Sequence, residues 1–146
     1  MNEYYYEEID WLPEIPDQLI LPLNEILQLE NLFPVPEMID TYASFKVQDN
    51  LSDFVNKYFD YEVNVKYQVI RKELPVHTDF GVGDVKFNYI VDTGGDVTTR
   101  WWDEDHWNIL HETICKERTW HKLRIDVPHD ITPPSTPRIT IVARRK

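Results

Sequence analysis

The chain has 146 residues, 42% hydrophobic and 13% aromatic, a composition that suits one globular domain and excludes a disordered chain. Its net charge of −11 lacks the clustered lysine and arginine of a broad nucleic-acid grip, and the only basic run is Arg144-Arg145-Lys146. The single cysteine, Cys115, forbids an internal disulfide and fits a reducing cytoplasm, and no apolar run approaches a membrane span or a secretory leader.

Residues 1–22 carry Tyr4-Tyr5-Tyr6, Trp11 and prolines at 13, 16 and 22. Three prolines so close forbid a regular helix, and an extended arm anchored by Ile9, Trp11 and Ile15 is predicted. Residues 23–31 predict a short helix with Ile26, Leu27 and Leu29 as its apolar positions, stopped by Pro34 and Pro36. Over 50–60, Leu51, Phe54, Val55, Tyr58 and Phe59 recur at helical spacing, with Asn50 or Ser52 as the expected cap.

After Tyr61 the period becomes two. Val63, Val65, Tyr67 and Val69 share one face of a strand, and Asn64, Lys66 and Gln68 the other. This strand runs through Leu74-Pro75 towards Val76-His77-Thr78-Asp79-Phe80. Residues 85–91 form a second strand, and Asp92-Thr93-Gly94-Gly95-Asp96 is a turn signal. Further strands are predicted over 97–102, 109–115, 120–127 and 138–143, with an acidic loop at 103–105 and an irregular one at 132–135. One or two helices followed by at least six short strands predict a mostly β fold, with helices packed outside an antiparallel sandwich or barrel. No Gly-rich phosphate loop and no βαβ alternation appear.

The chemistry concentrates on His77 and Asp79. Side chains two apart on a strand point the same way, so these residues offer a divalent cation two ligands from one face. The bland alternative is a strand end with polar residues. A third ligand must come from elsewhere, and His129 or His121 can supply it. Two histidines and one carboxylate leave open positions on iron(II). His106 and His111, near the acidic loop, are expected at the surface. Asp130 is expected beside the site rather than in it, and Cys115 in the core. Trp101, Trp102 and Trp107 read as a substrate wall or as plain packing.

His129 follows Asp79 by fifty residues, and Arg138 follows His129 by nine, with Thr140 on the same face of the last strand. This ordered set resembles the 2-oxoglutarate- and iron(II)-dependent dioxygenases, in particular their prolyl-hydroxylase-like branch. The resemblance covers 61–146. It implies a double-stranded β-helix, a cupin-like jelly roll formed by 61–146 with the arm and helices of 1–60 packed on it in a single domain. It selects His129 over His121 and makes His77, Asp79 and His129 the iron ligands. Arg138 would pair with the distal carboxylate of 2-oxoglutarate, assisted by Thr140. Tyr67, ten residues before His77, and Asn88 or Tyr89 would complete that pocket. The implied activity uses O2 to hydroxylate an unactivated C–H of a small molecule or peptide side chain, prolyl among them. Nucleic acid and membrane are not expected partners, and the expected setting is a bacterial cytoplasm or that of a phage's host. A cupin-type barrel with other metal chemistry and a non-catalytic binding barrel are the competing readings.

Overall fold

The computed structural model describes residues 5–30, 42–79 and 83–146. Tyr4, Pro34, Pro36 and Phe80, singled out above, lie outside them. Ten strands and two helices are found among the described residues. In chain order they are β1 (Tyr6–Ile9), α1 (Leu23–Leu29), β2 (Tyr42–Lys46), α2 (Asp49–Asn56), β3 (Val63–Ile70), β4 (Leu74–His77), β5 (Val85–Asp92), β6 (Thr99–Trp102), β7 (Ile109–Thr113), β8 (Trp120–Arg124), β9 (His129–Ile131) and β10 (Arg138–Arg145). None of the helices is long and apolar enough to cross a membrane.

Two antiparallel sheets result, one of six strands ordered β1-β8-β5-β10-β3-β2 and one of four ordered β4-β9-β6-β7. The alternation of β3 decides the layering. Val63, Val65, Tyr67 and Val69 face the helices and join Ile26, Leu51 and Val55 in the main core, together with Phe87, Tyr89, Trp120, Ile139 and Ile141. The opposite face of the large sheet looks towards the small one, and Ile90, Leu123, Trp101 and Cys115 pack together there. Both faces of the large sheet are thus covered, and its second face carries most of the polar side chains.

The helix over 50–60 begins and ends earlier than its pattern suggests. α2 runs from Asp49 to Asn56, and Gln48 precedes it without a side-chain cap, so neither Asn50 nor Ser52 serves as one. Gln48 donates instead to the Leu19 carbonyl, 2.6 Å away. The Asn56 side chain turns the chain into β3, accepting from the Val63 amide at 2.9 Å and donating to the Ser52 carbonyl. The arm is less simple than an extended strap. Tyr6–Ile9 adds a strand to the large sheet against β8, and Asp17–Leu19 forms a 3-10 turn. Ile9, Ile15 and Leu12 are its buried anchors, whereas Trp11 is 49% exposed and only edges onto Phe59 and Phe87.

The Gly94 turn sets the approach to β10. Its φ of +72° is a left-handed conformation, and a Cβ there would lie 2.7 Å from the Thr136 carbonyl and 3.0 Å from the Arg138 Cβ. The Gly94 carbonyl accepts from the Ser135 and Thr136 amides, so the 132–137 loop is tied down just before Arg138.

Candidate metal centre

Strand pairing brings the histidines together. β4 pairs with β9 so that His77 and His129 are direct cross-strand partners, and their rings lie 4.5 Å apart between centroids. Asp79 follows β4 and is fixed by its own amide, which donates to the Ile125 carbonyl at 2.9 Å. The His77 Nε2 lies 3.2 Å from one Asp79 carboxylate oxygen, and the His129 Nε2 lies 3.4 Å from the other. All three ligand atoms fall within 4.8 Å of one another. Adjacent ligands on an octahedral ion stand roughly 3.0 Å apart at bond lengths of about 2.1 Å, so small rotations suffice to close the set on one cation.

The two imidazoles are held alike. Each Nδ1 meets the carbonyl two residues earlier, His77 that of Pro75 at 2.6 Å and His129 that of Val127 at 2.7 Å. A carbonyl only accepts, so Nδ1 carries the proton and each Nε2 presents its lone pair to the site. The His129 Nε2 is buried without a hydrogen-bond partner among the described residues. Burial opposes ionisation of Asp79, but His129, His77 and the charge of Lys86 hold its carboxyl well below the usual carboxylate range. Burial likewise disfavours the His77 imidazolium, yet Asp79 and the Pro75 carbonyl outweigh it and the shift is upward. The donor set is two neutral-capable imidazoles and a firmly ionised carboxylate, which fits a borderline divalent cation such as iron(II).

A cavity opens beside these residues between the two sheets, enclosing about 480 Å³ of empty space with its open mouth included. His77, His129, Asn88, Arg138 and Thr140 line it. Arg138 is 4% exposed and forms no ion pair among the described residues. Its Nε, the Thr140 Oγ1 and the Asn88 Oδ1 are all buried without hydrogen-bond partners there. Burial lowers the pKa of Arg138, and its recorded neighbour is the Cys115 thiol, which burial pushes up. Asp130, the acid in the cavity lining, is taken by Arg100, and a buried guanidinium without an acid of its own is costly unless a ligand supplies the anion.

Other expected positions differ. Tyr67 does not reach the cavity. It belongs to the helix-facing side of β3, where its hydroxyl donates to Gln48 at 3.0 Å and accepts from the Leu21 amide at 3.1 Å. Gln68, its neighbour of opposite parity, lines the cavity instead. Tyr89 also faces the helices and accepts from the Ile15 amide. His121 is fully buried on β8, accepting from the Lys116 amide and stacking on Tyr6, away from the histidine pair. His111 is not a surface residue, since it stacks on Tyr5 and Trp101 with its Nε2 buried, whereas His106 is exposed. Trp101 lines the cavity, Trp102 does not and donates to Asp130, and Trp107 is 81% exposed, so of the three only Trp101 walls the cavity. Asp130 bonds Arg100 at 2.5 and 2.9 Å and thereby clamps β9 to β6 beside His129.

Sequence comparison gives no lead, for no family model and no curated protein matches this chain. Structure comparison does. A Pseudomonas putida prolyl-4-hydroxylase superposes with a TM-score of 0.61 at 11% identity, over 97% of this chain and 93% of that one. A cupin-2 domain protein from Shewanella frigidimarina gives 0.53 at 8% identity, over 89% and 98%. The fold is a double-stranded β-helix. Hydroxypropylphosphonic acid epoxidase from S. wedmorenis gives 0.50 at 13% identity, over 90% of this chain and 61% of that one. At these identities the likeness establishes the jelly-roll, cupin-like fold expected from the sequence, and the chemistry rests on this chain's own side chains.

Proposed function

We propose that the protein is an iron(II)- and 2-oxoglutarate-dependent dioxygenase that hydroxylates an unactivated C–H. The observation that carries this reading is the buried Arg138, without an acidic partner among the described residues, in the cavity that His77 and His129 line and beside which Asp79 completes the set of ligand atoms. A cupin-type barrel with other metal chemistry accounts for the three ligands but needs no such cation.

His77, Asp79 and His129 would hold the iron. Arg138, with the Thr140 hydroxyl beside it, would receive the distal carboxylate of the keto acid, where a guanidinium offers two parallel donors. Asn88 adds a carboxamide on the neighbouring strand. When bound, iron and the keto acid supply the oxidising chemistry that inserts one oxygen atom from O2 into the substrate. The protein orients the reactants, keeps the Nε2 lone pairs available and excludes bulk water through Trp101 and the apolar cavity wall. The substrate enters by the open mouth of the cavity and is a small molecule or a peptide side chain. The likeness to a prolyl-4-hydroxylase makes prolyl side chains the first to try. The net charge of −11 disfavours a nucleic acid.

The test is anaerobic titration with Fe(II) and 2-oxoglutarate, watched for the visible charge-transfer band of a chelated keto acid. A band in the wild type that is lost with His129→Ala and weakened with Arg138→Ala is expected. A folded, iron-loaded protein without the band overturns the 2-oxoglutarate reading in favour of other cupin chemistry. A failure to take up iron overturns the metal centre itself.

A further inference from the structure

Three cations among the described residues line the cavity, and Arg124 is paired with Asp126 and Asp84, which leaves Arg138 and Lys86. On β5, Phe87 and Tyr89 face the helices, so Lys86 and Asn88 face the small sheet, and both line the cavity with His77 and Arg138. The Lys86 ammonium makes no hydrogen bond or ion pair with any described residue. It shares the cavity lining with the ligand histidines and the guanidinium, and Asp79 and Arg138 are among its charged neighbours. Burial drives its pKa down.

A lysine whose stem merely covers apolar surface would carry its ammonium out to water. Lys86 instead lines the cavity, where the one lining carboxylate among the described residues, Asp130, is taken by Arg100, and Asp79 beside the histidines is engaged by both of them, so neither Lys86 nor Arg138 has a carboxylate of its own. A divalent ion at the triad would increase the positive excess further. Such a wall is stable when the ligand brings two negative charges, one for each cation. We infer that Lys86 is the second anchor of a dicarboxylate, holding the acid group nearer the metal centre while Arg138 and Thr140 hold the far one. This deepens the reading above and rests on it. It identifies a positioning residue on β5 that recognises the keto-acid end of the ligand. A single doubly charged group such as phosphate, bridging both cations, is the rival occupant.

The experiment is a proton–nitrogen NMR titration of the metal-free full chain, which reads binding in the millimolar range without any turnover. The probes are 2-oxoglutarate, 2-oxopentanoate (which has a methyl in place of the distal carboxylate) and inorganic phosphate. The wild type is expected to bind 2-oxoglutarate about tenfold more tightly than 2-oxopentanoate. Lys86→Met should weaken both keto acids about tenfold and leave their ratio intact, whereas Arg138→Met should collapse the ratio towards one. Should Lys86→Met fail to fold, Lys86→Gln replaces it with the same expectation. A Lys86 variant that binds 2-oxoglutarate as the wild type does overturns the inference and leaves the proposed function standing. So does a variant that changes only the ratio. Phosphate binding more tightly than 2-oxoglutarate, and lost in both variants, replaces the dicarboxylate with one oxyanion. A wild type with no saturable shifts for 2-oxoglutarate overturns the inference, and the iron-loaded titration above decides the proposed function separately.

Discussion

At the scale of single residues, the candidate site depends on two kinds of side chain that carry different measurable consequences. His77, Asp79 and His129 converge because their backbones are fixed, by cross-strand pairing for the histidines and by the Ile125 carbonyl for Asp79. Removing one ligand should therefore leave the fold intact and weaken metal binding. Asp79→Ala is expected to lower iron(II) affinity at least about a hundredfold in calorimetric titration, with an unfolding midpoint near that of the wild type. It removes the only anionic ligand but no element of either sheet. Arg138 differs because its planar fork matters as much as its charge. Arg138→Lys retains the charge and is still expected to weaken 2-oxoglutarate about tenfold, measured by the charge-transfer band. The His77 and Asp79 pair was legible in the sequence because its information is one-dimensional, a His-x-Asp parity, whereas the choice of His129 over His121 came from the resemblance. Lys86 and Gln68 were not legible. A lone lysine or glutamine alternating with apolar residues reads as a solvent face, and nothing in a single strand's pattern says that its polar face is enclosed by a second sheet.

The same ambiguity explains the misplaced tyrosine at the scale of elements. β3 is correctly read as alternating, with Tyr67 among the valines. A strand half-buried on one side would put that apolar face into the barrel. Here the helices α1 and α2 claim it, and the barrel interior receives Gln68 and Ile70. Tyr67→Phe should accordingly leave 2-oxoglutarate affinity within about twofold of the wild type. It should destabilise the fold by about 1–2 kcal/mol, since the Leu21 amide and Gln48 both lose their partner, a loss readable from the urea midpoint. A drop in affinity with unchanged stability would return Tyr67 to the cavity. The short strands β2 and β9 were missed for a related reason. Tyr42–Lys46 carries an alternating pattern, Ala43 and Phe45 inward, that could have been read. Three residues between Pro128 and the Pro133-Pro134 loop carry no period at all, so β9 exists through its pairing with β4 and β6 rather than through its own sequence.

Across the whole molecule, the arm and the sheet edge are joined at a titratable point, His121, the cross-strand partner of Asn88. His121 is fully buried on β8, stacks on Tyr6 of β1 and accepts from the Lys116 amide. That amide bond requires an unprotonated Nε2, so the folded state holds the neutral imidazole. Burial is the main cause and Glu8 opposes it, with the folded pKa pushed down to about 4. An unfolded histidine titrates near 6.5. Between these values the unfolded chain binds the extra proton, so stability falls as pH drops from about 6.5 to about 4 and is constant in this term outside that window. At about 1.4 kcal/mol per unit, the loss is on the order of 3 kcal/mol. Acidification also relieves the self-repulsion of a chain with net charge −11, an opposing effect common to wild type and variant. The comparison that isolates His121 is therefore a difference. His121→Gln keeps an acceptor for the Lys116 amide but cannot be protonated. Melting temperatures measured from pH 7 to pH 4 should diverge, the wild type losing several degrees more than the variant. Hydrogen exchange should place the early opening at the β1–β8 edge. Parallel curves would mean that protonation of His121 is tolerated within the fold, and that the pairing of β1 with β8 and the anchors Ile9, Leu12 and Ile15 hold the arm without it.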